Sequence, residues 1–169
     1  MSFRLSLMLA LLLGGTAALA TETPAIPNLV QPDERLLIGG QPDEEALRQA
    51  AAAGVKVVVN LRGEDEAVDF DQAQLVRELG MTYLRLPIAS GDDLTLENTQ
   101  AFNAILEAID DQPALLHCAS GNRVGALYAL RAAVYEDADT ETAIEIGRAH
   151  GLTGLEDTVR ERLTDNELR

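Results

Sequence analysis

The sequence is poor in cysteine, histidine and aromatic residues. Its 169 residues include no tryptophan, three tyrosines, three phenylalanines, two histidines and one cysteine. Because Cys118 is the only cysteine, no disulfide can form within the chain. The histidines and the cysteine show no spacing typical of a zinc site. The sequence contains no internal repeat and no low-complexity tract, so its length predicts one domain with its own core.

Positive charge is scarce as well. Thirteen lysines and arginines stand against 28 aspartates and glutamates, which gives a formal net charge of −15 at pH 7. A domain this acidic repels the phosphate backbone, so we expect no nucleic-acid partner. It also repels anionic lipid surfaces. Any anionic substrate must therefore be captured by a local positive site against the overall field.

The first 20 residues follow the pattern of a secretory signal peptide. A short segment with one positive charge, MSFR, precedes the apolar run LSLMLALLLGG, and Ala18-Leu19-Ala20 has the small-x-small form of a cleavage site. The apolar run is shorter than the roughly 20 residues of a membrane-spanning helix, and no cysteine follows it, which argues against a permanent membrane or lipid anchor. We expect signal peptide 1–20 to be removed and the protein to be periplasmic or secreted, without stable membrane association.

The rest of the sequence alternates strand and helix patterns. Residues 21–34 are proline-rich and predict an irregular N-terminal arm, and residues 35–169 predict the domain. Apolar and β-branched runs predict strands at 35–38, 55–61, 81–86 and 114–118. Pro87 ends the third strand, and helix patterns lie between the strands and after the last one. This order predicts an α/β domain with a central, largely parallel sheet flanked by helices.

One segment, HCASGNRVGAL, combines the groups that an anion site needs. Cys118 to Arg123 lies between a predicted strand and a predicted helix, where open α/β sheets bind ligands. A helix amino end offers unpaired N–H groups and partial positive charge, and Gly121 lets the backbone turn so that these groups converge. Such surroundings stabilise a thiolate over a thiol. Arg123 adds parallel donors suited to a tetrahedral oxyanion, so the segment favours thiolate attack on phosphorus or sulfur.

The same loop has a simpler interpretation. Free cysteine is among the most buried residue types, so Cys118 could be an inert core thiol. His117 could be a hydrogen-bonded core residue, and Arg123 could form an ion pair at the start of the helix. However, positive charge at a helix amino end opposes the helix dipole, and an exposed free thiol is a liability in an oxidising compartment. Both points favour a functional loop.

The loop resembles the signature of cysteine-dependent protein tyrosine and dual-specificity phosphatases. In that family His-Cys is followed by five residues, then Arg, then Ser or Thr. The segments LLIGGQPDEEALRQAAAAGVKVVVNLR and MTYLRLPIASGDDLTLENTQAFNAIL are similar to the family's first strands and helices and its acid loop. The chain resembles in particular a bacterial branch that also occurs fused to β-lactamase-like hydrolases. The resemblance covers roughly residues 33–165.

The resemblance implies a dual-specificity-phosphatase-like fold and a phosphatase that needs no cofactor. Cys118 would be the nucleophile and Arg123 would bind and stabilise the oxyanion, while His117 would support the loop. The backbone that binds the substrate would be that of Ala119, Ser120, Gly121 and Asn122. A proton for the leaving oxygen would come from Asp92 or Asp93, although both acids also suit ordinary turn and cap chemistry.

Two departures from the family pattern keep other functions open. Only four residues separate Cys118 from Arg123, and Val124 replaces the hydroxyl that helps the thiolate leave, for which Ser120 could compensate. The shorter Cys-x-x-Gly-x-Arg loop also resembles that of rhodanese-type sulfurtransferases, which carry a persulfide. A third alternative is a non-catalytic module that binds an oxyanion. The partner would be a small phosphorylated or sulfur-containing compound or a phosphoprotein, and no sequence feature indicates a deep aromatic phosphotyrosine slot.

A second acidic segment follows the second predicted strand. Glu64, Asp65 and Glu66 are consecutive and therefore do not face one point, so the segment predicts a solvated loop rather than a metal site. Arg62 precedes these acids, and we expect it to pair with Glu66 rather than to reach the pocket.

Overall fold

The computed structural model describes residues 23–164, and the predicted signal peptide lies outside them. Its strands are β1 Val30–Asp33, β2 Leu36–Gly39, β3 Val57–Arg62, β4 Thr82–Ile88 and β5 Ala114–His117. Its helices are α1 Glu44–Ala52, α2 Gln72–Glu78, α3 Leu96–Ile109, α4 Asn122–Tyr135, α5 Thr140–Ala149 and α6 Glu156–Thr164, and a 3-10 turn spans Gly91–Asp93.

The strands form one five-stranded sheet in the order β1-β2-β5-β3-β4. β5 is the middle strand and runs parallel to both neighbours, with Leu116 opposite Ile38 of β2 and Val59 of β3. β4 is parallel to β3, and only β1 is antiparallel to its neighbour β2. The prediction of a central, largely parallel sheet flanked by helices is therefore confirmed.

The sheet is buried on both faces, which explains its continuous apolar runs. Val58 and Leu115 pack with residues of α1 and α2 on one face. Val59 and Leu116 pack with residues of α3, α4, α5 and α6 on the other. All four side chains are fully buried, and each such burial contributes about 1.5–3 kcal/mol to folding. The carboxyl ends of the parallel strands are thus held at one fixed edge.

Most helices begin with a side-chain cap, and α4 does not. Asp43, Asp71, Thr95 and Asp139 each accept a backbone N–H at the start of a helix, a contact that contributes about 1 kcal/mol. Gly121 occupies the equivalent position before α4, where no side chain caps the first turn. The amino end of α4 therefore differs from these four in offering its first N–H groups without a side-chain acceptor.

The structure differs from the predicted elements at two places. Residues 30–33, predicted to be irregular, form strand β1 at one edge of the sheet. The prediction that Pro87 ends the third strand is wrong, because β4 continues to Ile88. β4 is the opposite edge strand and its register shifts between Asn60 and Arg62 of β3, and proline is tolerated at edges and irregularities. Within residues 23–164, no helix has the length and apolarity to cross a bilayer.

Candidate active site

The segment from Cys118 to Gly121 connects β5 to α4 at the carboxyl edge of the sheet, and Asn122 and Arg123 are the first residues of α4. Gly121 has a φ of 92°, a left-handed conformation that favours glycine. This turn directs the Gly121 N–H back toward the thiol, and its nitrogen lies 3.1 Å from the Cys118 sulfur. The thiol side chain has no exposed surface. The glycine turn therefore brings one backbone N–H to the buried sulfur.

Gly40, directly after β2, lets this loop approach the sheet. Gly40 forms an isolated antiparallel bridge with Ser120, and a Cβ at Gly40 would lie 2.8 Å from the carbonyl oxygen of Ala119. The Gln41 N–H donates to that same oxygen at 3.3 Å. A side chain at Gly40 would push the loop outward, so the absence of a side chain there allows the observed position of the loop.

The guanidinium of Arg123 lies beside the sulfur and is held by a carboxylate. Its two terminal nitrogens donate to the two oxygens of Glu66, one of them at 2.8 Å, and one nitrogen also donates to the carbonyl of Ile88. The pKa of Arg123 is raised, chiefly by the hydrogen bonds to Glu66 and further by the nearby Cys118 sulfur. The side chain is only 12% exposed, so its orientation is tightly restricted.

Glu66 connects three groups at this edge. Besides Arg123, it accepts hydrogen bonds from the Gly63 N–H at 2.8 Å and from Arg62 Nε at 3.3 Å. The hydrogen bond from Arg123 is the main reason that the pKa of Glu66 falls to about 2. The predicted Arg62–Glu66 pair is confirmed. Glu64 and Asp65 are exposed, as expected of a solvated loop, whereas the contact of Glu66 with Arg123 was not predicted.

The Glu66–Arg123 contact joins residues 57 positions apart, which no local spacing reveals. The observed strand order explains it. Glu66 follows β3, and Arg123 follows the adjacent strand β5 in the sheet. Loops after neighbouring parallel strands meet at one edge, so an acid after β3 is a candidate partner for a base after β5.

His117 lies at the end of β5 in a buried polar network. The Gln72 side-chain nitrogen lies 2.8 Å from His117 Nε2, and His117 Nδ1 lies 3.3 Å from the carbonyl oxygen of Cys118. Burial lowers the pKa of His117 to about 4, so the ring is neutral at pH 7. Because the Gln72 nitrogen can only donate and the Cys118 carbonyl can only accept, the ring proton lies on Nδ1. Asn60 in turn donates to Gln72 at 3.1 Å and to the Tyr83 hydroxyl at 2.8 Å. This network fixes the strand end from which the loop departs.

Asn122 and Ser120 form hydrogen bonds with residues of other segments. The Asn122 side-chain oxygen accepts from the backbone N–H groups of Thr153 at 2.8 Å and Leu155 at 3.3 Å. The carbonyl of Ser120 accepts from the Asn28 side chain at 3.3 Å, and the Ser120 side chain itself is exposed. Asn122 therefore uses its side chain to join the loop to the connection between α5 and α6.

The structure distinguishes the two candidate proton donors. The carboxylate of Asp93 accepts from the backbone N–H groups of Ala89 at 2.7 Å and Ser90 at 3.1 Å, so it stabilises the turn. The side chain of Asp92 is 99% exposed and lies 3.7 Å from Arg162. Asp93 thus has the cap role that was the simpler interpretation, while the Asp92 side chain is not used as a cap.

The family relationship is decided by a match over most of the chain. The sequence pattern of the family described as a DSP-PTPase phosphatase fused to NAD+ kinase matches residues 25–161. The chain belongs to this phosphatase family. The match confirms the resemblance inferred from the loop, and it favours phosphatase chemistry over sulfurtransferase chemistry.

Curated relatives of the chain are longer proteins. The β-lactamase hydrolase-like protein of Xylella fastidiosa is 32% identical over 128 residues, which cover 73% of this chain and 29% of that protein. The protein of the same name from Agrobacterium fabrum is 29% identical over 126 residues, 72% of this chain and 29% of the relative. The chain thus spans about 29% of the length of these relatives. Their name agrees with the bacterial branch that the sequence resembles.

Solved structures have the same fold. A putative phosphatase from Neisseria meningitidis superimposes with a TM-score of 0.65 at 26% identity, covering 80% of this chain and 95% of that one. The complex of P. aeruginosa TpbA with phosphotyrosine superimposes with a TM-score of 0.65 at 19% identity, covering 86% and 87%. These similarities confirm the dual-specificity-phosphatase-like fold.

Proposed function

We propose that this protein hydrolyses phosphate monoesters through a cysteinyl-phosphate formed on Cys118. The main supporting observation is the surroundings of the sulfur, with the Gly121 N–H at 3.1 Å and the guanidinium of Arg123 beside it. Both groups stabilise a thiolate, and both can stabilise negative charge on a phosphoryl oxygen. Membership of a phosphatase family supports the same chemistry.

The reaction would proceed in two steps. The Cys118 thiolate attacks phosphorus, the bond from phosphorus to the ester oxygen breaks, and the leaving oxygen takes a proton from Asp92. Asp92 then accepts a proton from water, which attacks the cysteinyl-phosphate. The phosphorus–sulfur bond breaks, the thiolate is restored and inorganic phosphate leaves. The backbone N–H groups of residues 119–122 and Arg123 would hold the phosphoryl oxygens throughout.

Arg123 keeps donors for a substrate although Glu66 and Ile88 already accept from it. A guanidinium carries five N–H groups, and the three bonds to Glu66 and Ile88 leave two of them for a phosphoryl oxygen. The bidentate contact with Glu66 would orient those remaining donors. Because the thiol has no exposed surface, a phosphate can reach the sulfur only if neighbouring groups move aside.

The short loop and the missing hydroxyl bear mainly on the second step. Val124, in the place of the family's serine or threonine, is fully buried in the first turn of α4 and offers no hydrogen bond to the sulfur. Breakdown of the cysteinyl-phosphate would therefore depend on Asp92 and on the exposed side chain of Ser120. The proposed location, periplasmic or secreted, rests on the sequence of residues 1–20 alone.

The proposal is tested by hydrolysis of para-nitrophenyl phosphate by the reduced protein lacking residues 1–20. We expect a rate that Cys118→Ser abolishes and that Arg123→Ala lowers at least about a thousandfold, the upper end of the effect of losing one oxyanion donor. A rate equal to that of Cys118→Ser would overturn the proposal. Transfer of sulfur from thiosulfate to Cys118 would then support the sulfurtransferase alternative, and phosphate binding without turnover would support an oxyanion-binding module.

A further inference from the structure

A cavity of about 730 Å³ opens beside the loop of the candidate active site. Ala119 of the loop lines it, together with Gln41 and Arg62. Arg62 also donates to Gln41 at 2.6 Å and pairs with Glu66, which holds Arg123. The cavity therefore borders the loop at which the phosphate is proposed to bind. A volume of this size is typical of small-molecule sites and is much larger than a phosphate group requires.

The interior of the cavity is partly apolar. Pro42, at the start of α1, is buried, and Val68 and Phe70 in the segment before α2 are half-buried. Phe70 also packs against the core on the α1 side of the sheet, which fixes its position. These side chains offer a surface for an aliphatic or aromatic group.

The rim of the cavity is acidic. Asp43, Glu44, Glu45 and Asp69 all line it and are all exposed. Arg62 is the one base among the described lining residues, and Glu66 offsets its charge. The rim therefore adds a local negative field to the overall charge of −15.

We propose that this cavity holds the alcohol side of the phosphate ester and selects small esters that carry a positive charge on that side. The inference rests on the proposed function, because it takes the phosphoryl group to lie at the loop. A phosphate monoester is itself an anion and is repelled by the rim. A cationic group on the leaving alcohol offsets this repulsion and gains the attraction of the rim, whereas an anionic group adds to the repulsion.

The test uses two phosphates of equal size and opposite charge. Tyramine O-phosphate ends in an ammonium group, and the O-phosphate of hydroxyphenylpropionate ends in a carboxylate. We expect the protein lacking residues 1–20 to hydrolyse the first with a kcat/KM about tenfold higher than the second at low salt. Equal values, or a preference for the carboxylate, would overturn the inference while leaving the phosphatase proposal intact.

A matched pair of variants separates the rim from the overall charge. Asp69→Lys and Glu145→Lys change the net charge equally, but Asp69 lines the cavity, whereas Glu145 is exposed on α5 across the sheet. We expect Asp69→Lys to lower the preference for tyramine O-phosphate to about threefold or less, and Glu145→Lys to leave it unchanged. Equal effects of the two variants would assign the preference to the overall field and overturn the inference.

Binding provides a readout that does not depend on turnover. Calorimetric titration of Cys118→Ser with each phosphate measures selectivity even if neither compound is hydrolysed. We expect Cys118→Ser to bind tyramine O-phosphate more tightly than the carboxylate compound, and Asp69→Lys in the same background to weaken that binding. This result would support selection by charge even if the phosphatase proposal fails. Equal affinities, or no binding of either compound, would overturn the inference.

Discussion

Two loops meet at the carboxyl edge of the sheet, and they differ in how they contribute to the candidate site. The loop after β5 brings Cys118, Gly121 and Arg123 together within six consecutive residues. The loop after β3 contributes Glu66, whose relevance arises only through a contact with Arg123 across the sheet. The comparison shows that the chemical groups of the site are encoded locally, while the orientation of the guanidinium is encoded by the topology.

Among the substitutions at these loops, Arg123→Lys is expected to cause the largest loss of activity. Lysine keeps the charge but lacks the planar fork that contacts Glu66 and faces the sulfur, so we expect kcat/KM for para-nitrophenyl phosphate to fall about a thousandfold. Arg131→Lys, on α4 away from the loop, is the matched control and should change kcat/KM less than about twofold. Comparable losses in the two variants would show that the fork geometry at Arg123 has no special role.

His117→Gln tests whether the loop after β5 depends on a neutral buried ring. The pKa of His117 is about 4 in the folded protein and 6.5 for an ordinary histidine, so the unfolded state binds more protons between these values. Its contribution to stability is complete above pH 6.5 and is lost as the pH falls toward 4. At about 1.4 kcal/mol per pH unit, the loss between pH 7 and pH 4 is about 3 kcal/mol.

Urea unfolding at pH 7 and pH 4 measures this contribution as a double difference. The wild type should lose about 3 kcal/mol more free energy of unfolding than His117→Gln over that interval. An equal loss in both proteins would mean that His117 is charged in the folded state, contrary to its place between Gln72 and the Cys118 carbonyl.

Asp92 and Asp93 lie in a third loop, after β4, and their substitutions test whether this loop supplies the proton donor. Asp92→Asn should lower kcat about a hundredfold for alkyl phosphates, whose leaving oxygen needs a proton, and much less for para-nitrophenyl phosphate. Asp93→Asn should cost about 1 kcal/mol of stability through its bonds to Ala89 and Ser90, with no dependence on the leaving group. A leaving-group dependence in Asp93→Asn alone would reverse the assignment.

The smallest effect is expected for Glu66→Gln, which removes the charge but keeps the shape. Without the carboxylate, Arg123 is oriented less firmly, and we expect kcat/KM to fall about tenfold. Glu64→Gln, an exposed neighbour in the same loop, should change nothing. A rise in activity would instead mean that Glu66 competes with the substrate for the guanidinium.

Glu66→Gln also has a signature in stability. Because its folded pKa is about 2, compared with an ordinary 4.5, Glu66 stabilises the protein above pH 4.5, and this stabilisation is lost as the pH falls toward 2. Glu66→Gln should therefore be less sensitive than the wild type to acid over that interval. Parallel unfolding curves for the two proteins would contradict the ion pair.

Much of the fold could be predicted from the sequence because its determinants are local. The β-branched run at 55–61 predicted β3 to within two residues at each end. The extension of β4 through Pro87 and the strand at residues 30–33 were not predicted, because both depend on lying at sheet edges. The identity of an edge strand follows from the strand order, which local patterns do not contain.

The same distinction applies to the candidate site. Cysteine, glycine and arginine at short spacing indicated a loop that binds an anion, and the structure brings these residues together around one sulfur. The roles of Gln72 and Glu66 depend on residues 45 and 57 positions away, respectively. Gln72 lies in a helix that has no special motif, so the sequence offered no signal for its contact with His117.

The most direct test of the account is to trap the intermediate. The reduced protein, mixed with para-nitrophenyl phosphate and quenched in acid within one turnover, is digested and analysed by mass spectrometry beside Cys118→Ser. The account predicts one phosphate on the peptide that contains Cys118 and none in the variant. Turnover without phosphate on that peptide, or with phosphate on another residue, would contradict nucleophilic catalysis by Cys118.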